Sequence, residues 1–192
     1  EIYRFENGGV ELRGQLYWDV LAQWSHLLEG FRAAAGATGG RLASVGVDTW
    51  GVDFGLLGRG DVLLGNPRHY RDAHTDGVME QAFARVSRAE IFQATGLQFL
   101  QFNTLFQLLA LQAAGSPLLD AAETLLLMPD LFHWMMTGEK AVERTNATTT
   151  QFYDPRRRDW ATDLFQAFDL PSNILPRIIA PASVLGPLSP RV

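Results

Sequence analysis

Asp48, Thr49, Trp50 and Gly51 follow an apolar run of Leu42, Val45 and Val47 that is interleaved with small Ala43 and Gly46. Trp50 offers a flat apolar face with one N–H donor, and Gly51 is free to take a positive φ or to let a ligand lie against its backbone. That combination suits a sugar. The run predicts a buried parallel strand over residues 42–48, with a second strand over 52–57. Ligands of open α/β sheets bind beyond the carboxyl ends of parallel strands, so residues 48–51 stand where a site is expected. An ordinary β-hairpin with Trp50 packed into a core fits the same residues.

Other chemistries find less support. The glycines at 55, 58 and 60 have the wrong order for a dinucleotide fingerprint and read as turn glycines, and no Walker A sequence occurs. His26, His69, His74 and His133 lack metal-ligand spacing, so no metal site is expected. No GxSxG elbow is present. Zero cysteines exclude disulfides and thiol catalysis and agree with a reducing compartment, the cytoplasm. A net charge of -5 disfavours nucleic-acid partners, whose phosphates are met by Lys and Arg. The one basic cluster, Arg156 to Arg158, sits between Asp154-Pro155 and Asp159 and reads as a solvated turn. No apolar run approaches the roughly 20 residues of a membrane span. The Asn146-Ala147-Thr148 sequon carries little meaning without a secretory signal.

The positioning elements follow from periodicity. Residues 1–5 read as a strand, 7–9 as a turn, and 10–17 as strand or loop. Asp19 is expected to cap a helix whose Val20, Leu21, Trp24, Leu27, Leu28 and Phe31 share one face, ended by Gly36, Gly39 and Gly40. Helix then strand suggests a right-handed crossover into the run at 42. Strands are predicted at 62–64, and a charged strand-to-helix junction at Arg71, Asp72, His74, Thr75 and Asp76. Ser87 with Glu90 forms a capping-box pattern for a helix closed by Gly96, and Thr104 with Gln107 repeats the pattern for residues 105–114. Ser116-Pro117 opens a short helix, 124–128 reads as an apolar strand parallel to 42–48, and 131–136 with Gly138 as a helix. Residues 145–150 show no helical period and read as strand or loop, while 160–168 are amphipathic. Prolines at 171, 176, 181, 187 and 190 suit a tail.

DTWGVDFGLL, GNPRHYRDAHTDGVME, GLQFLQFNTLFQL, LLLMPDLFHWMMTGE and TNATTTQ, in that order and spacing, resemble the FGGY family of carbohydrate kinases. Within the family the likeness is to the branch acting on L-rhamnulose, and it runs from Glu1 to about Arg191. The resemblance implies an α/β, actin-like (ribonuclease H-like) ATPase domain, here the partial first domain of a two-domain sugar kinase. Residues 1–180 would form this sugar-side domain and 181–192 a Pro-rich segment leading toward a second domain. ATP and Mg2+ are implied for the full-length enzyme. A phosphate loop of the form DLGASSGR would precede Glu1, and a catalytic Asp in an SHDTASA-like motif would follow the chain, so no catalytic, cofactor or metal residue is expected within it.

The same resemblance assigns substrate contacts. Gly51 matches the family glycine whose backbone meets the ketose, with Trp50 beside it. Tyr70, in HYRD, falls where relatives place an aromatic against the substrate, and Asp72 and Arg71 are expected to hold that junction. Asp48 and Asn103 are candidates for sugar hydrogen bonds, with helix capping as the alternative for Asn103. Asp130 and Asn146, in signature stretches, fit structural roles. Gln101 departs from the Pro of FLPFNT. The function implied is phosphorylation of L-rhamnulose; the alternatives are another ketose or polyol, or a sugar-binding module without catalysis.

Overall fold

The computed structural model describes residues 1–190 and 192. It opens with a hairpin of β1 (Gly9–Leu12) and β2 (Gln15–Trp18), followed by α1 (Val20–Thr38). Asp19 caps α1 as the sequence implies, its carboxylate accepting the Ala22 N–H at 3.1 Å. The helix runs through Gly36 and stops at Gly39, which takes the left-handed conformation. Its burial is partial: Val20 is fully covered, while Leu21, expected on the inner face, is exposed.

Residues 42–48 form no strand. A strand is defined by a neighbour that pairs with its backbone, and among the described residues none lies beside this run. Leu42 and Val45 accordingly stand 43% and 39% exposed, so the parallel pairing with 124–128 does not occur. Residues 1–5 are likewise irregular.

The sheet that does form is antiparallel, in the order β4-β3-β5, from β3 (Phe54–Gly58), β4 (Val62–Leu63) and β5 (Ala122–Leu127). Every residue of β3 is buried. Gly55 is part of that strand, and a Cβ on it would stand 2.8 Å from a Leu131 methyl, so this glycine lets a helix lie directly on the sheet. Of the three glycines read as turn residues, only Gly60 adopts a turn conformation, at φ 70°.

Between β4 and β5 lie α2 (Val78–Arg85), α3 (Arg88–Thr95), α4 (Thr104–Ala113) and α5 (Pro117–Ala121). Ser87 and Glu90 make the predicted reciprocal cap of α3, and Gly96 ends it in the left-handed conformation. Thr104 and Gln107 do not make a cap; both side chains are buried and reach toward residues 52 and 53. Helix α4 is buried through Leu105, Phe106, Leu108 and Leu109, which pack with Leu56, Leu57 and the leucines of β5 in the main core.

Helix α6 (Met128–Thr137) starts directly from β5, with Pro129 in its first turn and Gly138 as its left-handed cap. Then come β6 (Val142–Glu143), α7 (Arg144–Ala147), the β7 (Tyr153–Asp154) and β8 (Asp159–Trp160) hairpin, α8 (Thr162–Ala167) and β9 (Ile178–Ile179), which pairs parallel with β6. Residues 145–150, expected to be strand or loop, are helical. Glu143 accepts the N–H groups of Thr145 and Asn146, and the hydroxyls of Thr148, Thr149 and Thr150 each donate to the carbonyl three residues back. These local bonds outweigh the strand preference of β-branched side chains. Asp154 accepts the N–H groups of Arg156 and Arg157, which makes the basic cluster the turn the sequence predicts.

Candidate functional site

The site is built around a kink between Gly51 and β3. Val52 has φ 68°, a left-handed conformation that a β-branched residue avoids. Gly51, free to take a positive φ, does not adopt one. The kink is held from both sides. Val52 donates its N–H to Thr149 Oγ1 at 3.1 Å, and its carbonyl accepts Thr104 Oγ1 at 2.7 Å and Gln107 Nε2 at 3.3 Å. Two segments distant in sequence, α4 and the turn at Thr149, therefore fix one residue.

Asp53, next along the chain, is fully buried. Its Oδ2 accepts Trp18 Nε1 at 2.6 Å, Trp50 Nε1 at 3.0 Å and the Tyr70 N–H at 3.2 Å, while Oδ1 accepts Gln107 Nε2 at 2.9 Å. Burial pushes its carboxyl above the ordinary aspartate range, and the four donors pull the other way without reversing it. Around it the rings of Trp18 and Trp50 lie 4.1 Å apart, Trp18 stacks on His69 at 3.9 Å, and Tyr70 meets Phe102 at 5.6 Å.

Asp72 secures the segment that carries Tyr70. It accepts the N–H groups of Leu16 at 2.6 Å and His74 at 2.8 Å, and pairs with Arg68 at 3.1 Å. Burial raises its carboxyl, but these backbone bonds and the Arg68 charge outweigh that and hold it below the usual range. Arg71 lies over the Tyr70 ring, 5.2 Å from its centre, and donates to the Tyr70 hydroxyl. Asp72 and Arg71 thus hold the junction as the sequence reading expects.

Asp48, Trp50 and Gly51 line one cavity of about 1410 Å3, bounded by α1, α6, α7 and residues 179–188, 190 and 192. Tyr70 lies outside that lining, reached from Trp50 through Trp18 and Asp53. Asn103 is turned inward at 2% exposure: it occupies the position before α4 without capping it, and its amide donates to Gln98 O and Gln151 Oε1. Asp48, Trp50 and Gly51 are brought together at the cavity, Tyr70 is tied to Trp50 through Asp53 outside it, and Asn103 is set apart by its own hydrogen bonds.

The same cavity is lined by Asp130 and Asn146, for which the sequence implied structural roles, and Asp130 Oδ2 and Asn146 Nδ2 are buried without a hydrogen-bond partner among the described residues. The other Asp130 oxygen accepts the Glu143 N–H at 3.1 Å. Burial, reinforced by the Glu143 charge and opposed by that N–H, lifts the Asp130 carboxyl to about 7. His133, across one turn of α6, is pushed down by burial. Asp53, Thr104, Gln107 and Thr149 were missed by the sequence reading, because the bonds that matter span 35 to 97 residues.

Residues 15–192 match the model of the FGGY family of carbohydrate kinases, N-terminal domain, and the chain belongs to that family. The chain is 40% identical over its whole length to a rhamnulokinase of Bacteroides thetaiotaomicron and 38% identical to one of Oceanobacillus iheyensis, covering 39% and 41% of those proteins. It thus spans about two-fifths of their length. Among solved structures it resembles a ligand-bound xylulose kinase of Lactobacillus acidophilus, with TM-score 0.88, 19% identity, and coverage of 97% of this chain and 38% of that one. Plasmodium falciparum glycerol kinase with ADP gives TM-score 0.74 at 16% identity, covering 96% of this chain and 39% of that one. The fold is therefore mixed α/β, part of the actin-like first domain of sugar kinases. No helix is long and apolar enough to cross a membrane among the described residues.

Proposed function

We propose that the full-length protein containing this chain transfers the γ-phosphoryl group of ATP to L-rhamnulose, giving L-rhamnulose 1-phosphate, ADP and a proton, and that this chain supplies the sugar side of the cleft. The observation that carries the reading is the 40% identity to a rhamnulokinase over all 192 residues. The local geometry supports it. An indole face and a glycine backbone set on a rigid kink are suited to a polyhydroxylated ligand, whose specificity comes from fixed hydrogen-bond partners. Trp50, Gly51 and Tyr70 are the proposed contacts, with Asp48 at the cavity rim; Asn103 serves through its internal bonds.

In this reading the nucleotide, its divalent ion and the base that takes the sugar proton belong to the rest of the protein, including a second domain, as the family resemblance implies. The test is an ADP-release assay of the full-length protein against L-rhamnulose, other ketoses and polyols. Preference for L-rhamnulose supports the reading. Preference for a different sugar replaces the substrate, and sugar binding without ADP release points to a non-catalytic binding module.

A further inference from the structure

We propose that Asp53 is the positioning residue of the sugar site: its buried carboxylate ties the Trp50 indole and the Tyr70 backbone to one point, so that recognition depends on a group the sugar never touches. The inference rests on the proposed function. Its basis is the arrangement of four N–H donors on two oxygens, with three of them, from Trp18, Trp50 and Tyr70, meeting at Oδ2.

A fully buried carboxylate is a poor way to gain stability. Removing a charge from water opposes folding, and well-packed apolar groups commonly do as well or better in its place. What this carboxylate does supply is registration. Trp50 precedes the Val52 kink, Tyr70 lies in a separate loop, and Trp18 ends β2. No sheet pairs the Trp50 segment with the Tyr70 segment, so the shared Oδ2 is their direct polar link. Gln107 sets the carboxylate in turn, because its amide also donates to Val52 O and Phe102 O and so cannot rotate freely.

Asp53→Asn keeps the size and tests the geometry. An amide N–H2 in the Oδ2 position would face three donors, and in the Oδ1 position it would face Gln107 Nε2. In the full-length enzyme the KM for L-rhamnulose should rise tenfold or more, with the KM for ATP within twofold of the parent and the melting temperature measured alongside. Trp50→Phe, which removes one donor and keeps an aromatic face, should raise the same KM severalfold. The double variant should be no worse than Asp53→Asn alone, since both changes cut one link. A folded Asp53→Asn enzyme with the parent's KM for L-rhamnulose, or effects that multiply in the double variant, overturns the role of Asp53. If Asp53→Asn does not fold, Trp50→Phe carries the test, and a parent-like KM for it overturns the role. The parent is assayed first: failure to phosphorylate L-rhamnulose overturns the proposed function, a result distinct from an active, unaltered Asp53→Asn enzyme.

Discussion

Gly51 presses its bare Cα side against Thr149: a Cβ at Gly51 would stand 2.9 Å from Thr149 Cγ2 and 3.0 Å from Oγ1. The same hydroxyl accepts the Val52 N–H and donates to Asn146 O at 2.8 Å. Gly51 is therefore required by α7 and the turn after it, through a contact within the protein.

Gly51→Val in the full-length enzyme is expected to displace Thr149, loosen the Val52 kink and weaken sugar use, with little change in the KM for ATP. Overpacking of this kind costs about 1–3 kcal/mol, which corresponds to roughly tenfold to a hundredfold in sugar specificity if it falls on the site. In a Gly51→Ala background, Thr149→Ser removes the crowding methyl and keeps the hydroxyl, so it should restore part of the loss. Steady-state kinetics with melting temperatures check both, and additive losses in the double variant would refute the contact.

Val52→Gly separates strain from burial. Glycine adopts φ 68° freely, so it relieves a strain of about 1–3 kcal/mol, while loss of the buried Val side chain costs about 1.5–3 kcal/mol. The two nearly cancel, and the variant should lie within about 1 kcal/mol of the parent. Val142→Gly, at a fully buried strand position without a positive φ, has no strain to relieve and should be at least about 2 kcal/mol worse. Urea unfolding of the two variants decides it.

Asp130 gives stability a pH dependence of unusual sign for a carboxylate. Its folded value is raised to about 7, above the roughly 4 of an unfolded aspartate. Between those values the folded chain binds more protons than the unfolded one, so this group's contribution falls as pH rises from about 4 to about 7. It is fully present below that window and lost above it. The full span is on the order of 4 kcal/mol. Asp130→Asn removes the titration and should be more stable than the parent at pH 8, with the advantage gone at pH 4. Equal slopes of unfolding free energy against pH in the two proteins would refute the assignment.

The 192-residue chain by itself should release no ADP with L-rhamnulose, because the proposed function assigns the nucleotide and the proton-accepting base to the rest of the protein. Turnover by the purified chain near about 10 per second, a common enzyme rate, would show that the missing groups are within it.

The sequence by itself determined the elements whose signals are local. Asp19 and the Ser87–Glu90 pair fixed two helix starts, Gly39, Gly96 and Gly138 fixed three ends, and the order of five motifs fixed the family. Each of these depends on atoms a few residues apart, so spacing is enough to read them. Only the tertiary structure decided the rest. The run at 42–48 has strand composition but no strand beside it to pair with, and Thr104 with Gln107 has cap spacing but serves the backbone of Val52, more than 50 residues earlier. Asp53 stood in the motif as one more polar residue. Its importance comes from four donors brought in from 3 to 54 positions away, and a convergence of that kind exists only once the chain has folded.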